Sequence, residues 1–152
     1  MATLYSAAYL KNPAPCSREH KHEYVVPFTF SAALAASDVV KILKLPKGAN
    51  LLGTGWFMET SADFDTSTNL TLTLRVNDGT TSKTIISAST IGQGAAGRVS
   101  ENVGNGSLQV GWIGYETTNE SFDVEILVAA GPSTATSGTI NVGVSFSLDK
   151  VL

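Results

Sequence analysis

The residues best suited to chemistry are few and crowded together. Cys16, His20 and His22 are the only thiol and imidazole groups in the chain, with Glu19 and Glu23 beside them. On a strand, His20 and His22 would project to the same side and could share a metal ion. A zinc site calls for four protein ligands, or three and a water, and nothing downstream offers a matching Cys/His pair. The competing reading is a polar entrance to a strand. Any Ser/His or Cys/His mechanism must also draw on these two histidines, in a segment that reads as exposed, and no GxSxG elbow accompanies them.

Two further motifs invite ligands. Gly92-Gln93-Gly94-Ala95-Ala96-Gly97 matches the GxGxxG fingerprint, whose phosphate chemistry requires a strand before it and a helix after it. Val99-Ser100-Glu101-Asn102 supplies no stable helix, and no βαβ pattern surrounds it, so a flexible glycine loop is expected. Asp63-Phe64-Asp65-Thr66-Ser67 opens like a calcium loop, but positions 6 and 12 hold Thr68 and Leu74 in place of glycine and glutamate. A capped turn between strands accounts for it. Trp56 and Trp112 could be stacking platforms for sugar rings or packed core residues. No catalytic residue, cofactor or metal is expected.

The elements that must position these groups are strands. Tyr24–Phe30 is aromatic and β-branched, with Pro27 hinting at an edge or bulge. Ala32–Ala36 spans little more than a helical turn and reads as a connector. Strands are expected at 39–45, at 50–59 with glycine interruptions, at 70–76, 83–88, 108–116, 121–129 and 138–148. Leu70, Leu72, Leu74 and Val76 share one face of theirs, as do Ile140, Val142, Val144, Phe146 and Leu148. Asn77-Asp78-Gly79 closes a hairpin. Residues 91–107 hold five glycines and read as a loop with at most one helical turn. Residues 1–23 show no sustained period, and Asn12-Pro13-Ala14-Pro15 keeps the backbone extended. They read as an N-terminal arm, 1–23, ahead of a single β domain, 24–152. Tyr5, Tyr9 and Leu10 could pin that arm to a neighbouring surface; a loose terminus is the alternative.

Composition agrees with strands and turns. Serine (16), threonine (17), asparagine (8) and glycine (14) make up 55 of 152 residues, and 15% are charged. The expected class is all-β, an antiparallel sandwich of about eight strands with no credible long helix. No stretch approaches the ~18 consecutive apolar residues of a membrane helix. The start lacks the basic and apolar run of a secretory signal, and one cysteine cannot form an internal disulfide, so cytoplasmic synthesis is the simplest expectation. The net charge of −3 and a pI near 5.3 argue against a nucleic-acid binder. The charge is uneven: residues 1–50 carry six Lys/Arg against three Asp/Glu (+3), and residues 51–152 four against ten (−6). The three triplets of the N-x-[ST] type are what 33 Ser and Thr produce by chance.

One stretch is more specific. Asp38-Val39-Val40-Lys41-Ile42-Leu43-Lys44-Leu45-Pro46-Lys47-Gly48-Ala49-Asn50-Leu51-Leu52, followed by Phe64-Asp65-Thr66-Ser67-Thr68-Asn69-Leu70-Thr71-Leu72, resembles the head decoration (cement) proteins of tailed bacteriophages. The resemblance covers roughly residues 24–130 and includes the glycine-rich loop with Gln93. It implies a jelly-roll-like β-sandwich that sits on the capsid exterior of the virion, commonly as a homotrimer, bound to the major capsid protein after assembly in the host cytoplasm. The family has no catalytic residues to carry over. In that setting the arm would meet the shell, through Tyr5, Tyr9, Leu10, Lys11, Arg18 and Lys21. The alternative is a carbohydrate-binding or fibre- or tail-associated module using Trp56 or Trp112.

Overall fold

A computed structural model describes residues 1–10, 21–46, 49–80, 82–101 and 121–147. Ten strands and one helical turn occupy them: β1 (Thr3–Tyr5), α1 (Ala7–Leu10), β2 (Lys21–Phe30), β3 (Val39–Pro46), β4 (Asn50–Leu51), β5 (Trp56–Thr60), β6 (Thr71–Asn77), β7 (Ser82–Ser89), β8 (Gly97–Glu101), β9 (Ser121–Ala130) and β10 (Gly138–Ser147). Sheet I runs β1-β3-β9-β6-β7 and sheet II runs β2-β10-β5-β8, with β4 also on β10. Without the short β1 and β4, each sheet has four strands, and the chain passes from one sheet to the other at every step but the β6–β7 hairpin. That winding is the double Greek key of a jelly roll. Among the described strands, every pairing is antiparallel except β1 with β3.

Alternation builds the core. Leu72, Leu74 and Val76 of β6 face Val124, Ile126 and Val128 of β9 and, across the sandwich, Ile140, Val142, Val144 and Phe146 of β10, all fully buried. Removing such side chains from water is the main stabilising force. Strand β3 departs from strict alternation. A bulge between Lys41 and Leu43 lets Ile42 and Leu43 both enter the core, while Lys41 and Lys44 stay on the outer face. As Pro27 foretells, β2 is an edge strand, where a missing amide breaks no ladder.

Two expectations change, and for Trp56 the core reading holds. The glycine-rich stretch 91–107 is not all loop, because Gly97–Glu101 forms β8 and pairs with β5 from Trp56↔Glu101 to Thr60↔Gly97. The expected strand 50–59 is two strands, broken where Gly55 takes φ +92°. Trp56 is a core residue, 1% exposed, with its indole Nε1 donating to the Leu52 carbonyl at 2.7 Å. It offers no face to a sugar. Trp112 and the expected strand 108–116 lie outside the described residues.

Candidate functional site

Of the predicted contact residues, Tyr5 lies on β1, Tyr9 and Leu10 on α1, and Lys21 opens β2. Strand β1 adds to sheet I in parallel with β3, in register from Thr3↔Val39 to Tyr5↔Lys41. Buried Asp38 fixes the start of this strand by accepting from the amides of Ala2 (2.8 Å) and Ala35 (2.9 Å). Ser6 fixes its end: its amide donates to the Lys41 carbonyl at 2.8 Å, its hydroxyl donates to the Ile42 carbonyl freed at the bulge, and its oxygen accepts from the Tyr9 amide at 3.0 Å. Leu4 and Ala8 pack against the core. Residues 1–10 therefore strap the β3 edge.

Tyr5 and Tyr9 are brought together, with ring centroids 5.3 Å apart, and Lys44 Nζ lies 5.3 Å from the centre of the Tyr9 ring. Tyr5 remains 49% exposed. Burial, and then the nearby Asp123 carboxylate, raise the Tyr9 pKa above its ordinary value. Lys11 and Arg18 lie outside the described residues, as do the side chains of Leu10 and Lys21. Between β1 and β2 a groove of about 330 Å³ is lined by Leu4, Tyr5, Phe28, Phe30, Ala32 and Asp38.

Behind the strap, the outer face of sheet I carries a buried ion network that the sequence reading did not single out. Glu125, on β9, is fully buried although it points away from the core. Lys41 on β3 donates to Glu125 Oε2 and, at 3.0 Å, to Asp123; Arg75 on β6 donates to Glu125 Oε1 at 2.6 Å, and Asn77 reaches the same oxygen at 3.2 Å. Burial works to raise the Glu125 pKa, but the Lys41 and Arg75 hydrogen bonds overcome it and hold the carboxyl below its usual value. Burial likewise opposes the charge on Lys41, and its two carboxylate partners raise its pKa nonetheless. The register Lys41↔Glu125↔Arg75 across three adjacent strands explains the geometry.

The other motifs are occupied by the fold itself. Asp65 accepts from the Ser67 hydroxyl and amide and, at 2.6 Å each, from the amides of Asn69 and Leu70. The Ser67 hydroxyl and those amides lower its pKa from 3.8 to about 2 against the opposing effect of burial. Its lone pairs are taken, as the capped-turn reading requires. In the GxGxxG stretch the Gly94 amide donates to Asp63 at 2.9 Å, and the Gly92 carbonyl accepts from Phe64 and Asp65. Its polar groups stitch loops together. His22 stacks on Phe146 at 5.3 Å between centroids; Cys16 and His20 lie outside the described residues. Among the described residues, no three His, Cys, Asp or Glu side chains are grouped to hold a metal ion.

No family model matches the chain, and no curated protein matches it. Among solved structures, it is similar to one described as "Capsid of Ralstonia phage GP4", with a TM-score of 0.67 and 22% identity over 95% of this chain and 97% of that one. The likeness is one of fold, and it spans nearly the whole of both chains.

Proposed function

We propose that the protein is a structural component of a tailed-phage virion, binding the outside of the capsid shell as a decoration or cement protein and stabilising the head. The observation that carries this reading is the end-to-end likeness of its jelly roll to a chain from a phage capsid. The motif resemblance of residues 38–52 and 64–72 supports it from the sequence side. The partner is the major capsid protein, and the protein's place is the capsid exterior, reached in the host cytoplasm. Self-association as a homotrimer belongs to the same reading.

Contact with the shell runs through the strapped edge. Tyr5 and Tyr9 supply rigid aromatic area beside Lys44, and Leu10, Lys11, Arg18 and Lys21 extend the same segment. A surface of Ser, Thr and Asn loses little side-chain entropy when covered. The test is to locate the protein in purified virions and count its copies. A count in step with the shell subunits supports decoration; a count matching a neck or tail ring, or absence from the particle, contradicts it.

A further inference from the structure

Asp38 is a buried acidic residue that meets no cation among the described residues. It is 6% exposed, and its carboxylate accepts from two neutral groups, the Ala2 amide on Oδ1 at 2.8 Å and the Ala35 amide on Oδ2 at 2.9 Å. None of the ion pairs among the described residues includes it. Burying a charge is costly unless an opposite charge compensates it. The turn before Asp38 is built to hold it there. Ser37 takes φ +70°, a left-handed conformation that its side chain disfavours, and its amide donates to the Val128 carbonyl at 2.8 Å. The Asp38 amide donates to the Ala35 carbonyl at 3.1 Å, and the Asp38 carbonyl accepts from the Val128 amide at 2.9 Å.

The nitrogen of Ala2 stands where a cation would serve. Met1, bonded to that nitrogen, is 93% exposed, so its loss uncovers no core. The Met1–Ala2 bond, a methionine before a small side chain, is of the type that methionine aminopeptidases hydrolyse. We infer that this bond is cleaved and that Asp38 receives the α-ammonium of Ala2, which fastens the strap to sheet I. In the hydrolysis, the oxygen of water leaves in the carboxylate of free methionine, and both its protons end on the Ala2 nitrogen, which is charged at neutral pH. That nitrogen already lies in place, 2.8 Å from Oδ1. A neutral hydrogen bond becomes a charge-assisted one, about twice as strong. The remaining ammonium protons meet solvent, since Ala2 is exposed. The net charge is unchanged, because one α-ammonium replaces another one residue further in. What changes is that the start of β1 is tied to Asp38 by charge, as Ser6 ties its end by hydrogen bonds.

Intact-mass measurement of the chain expressed in bacteria from Met1 should show the loss of one methionine. Chains released from a cleavable fusion partner, one beginning at Met1 and one at Ala2, then isolate the effect on the strap. The reporters are the Val39 amide, which donates to the Ala2 carbonyl, and the Ser6 amide, which donates to the Lys41 carbonyl. Their hydrogen exchange, followed by NMR, should be about fivefold slower in the chain that begins at Ala2. Acetylation of the Ala2 α-amine removes its charge, leaves Asp38 in place and should erase the difference. Asp38→Asn should erase it too, and the acetylated chain answers the question even where that variant fails to fold. Retention of Met1, equal exchange in the two chains, or a difference that survives acetylation would overturn the assignment. None of these readouts involves phage heads, so their failure leaves the virion reading intact.

Discussion

At the scale of single residues, two carboxylates carry the structure in different ways. Asp65 has a folded pKa of about 2 against an ordinary 3.8, so its contribution is fully present above pH 4 and is lost as pH falls from there towards 2. Asp65→Asn should flatten the acid limb of a stability–pH profile over that window and lower stability at neutral pH; an unchanged acid limb would contradict the assignment. Glu125 is different, because its loss takes the ion pair from Arg75 and leaves Lys41 with Asp123 alone. Glu125→Ala should cost about 3 kcal/mol in urea unfolding, since it leaves Lys41 and Arg75 without their buried partner. Arg75→Ala, at a more exposed position, should cost less than half as much. The turn around Asp65 was legible from its Asp-Thr-Ser spacing. Glu125 was not: in β9 it reads as an ordinary outward polar residue, and only the placement of β3 and β6 on either side buries it.

The strands show where sequence pattern suffices and where it fails. Clean alternation marked β6 and β10, and Asn77-Asp78-Gly79 marked the hairpin that the structure contains. Strand β8 was hidden because Gly97, Arg98 and Ser100 carry no apolar alternation; its pairing comes from β5, not from its own propensity. Strand β1 was hidden for a related reason. Three residues cannot show a period, and their order comes from Asp38, Ser6 and the exposed edge of β3. Deleting residues 1–10 should leave a folded β protein, about 2 kcal/mol less stable through the loss of Leu4 and Ala8 burial, with the β3 edge open to aggregation. It should also lose binding to phage heads. Calorimetry and a head co-sedimentation assay read the two effects separately, and truncated protein that binds heads at wild-type affinity would remove the strap from the interface.

For the whole molecule, the sequence implied two layers of strands but not their order, because a jelly roll joins distant segments. Phe30 pairs with Gly138 and Lys21 with Ser147, contacts that no local pattern encodes and that make such folds slow to form. The same closure gives a body whose β3 edge is strapped by residues 1–10. A ligand that binds an assembled lattice, and not its separated subunits, stabilises the lattice by linkage, about 2.7 kcal/mol per site at a hundred times the dissociation constant. Undecorated heads titrated with the protein should therefore resist thermal disruption to a degree that rises with occupancy and saturates with it. Binding that saturates without raising the disruption temperature would place the protein on the particle but deny it a cementing role.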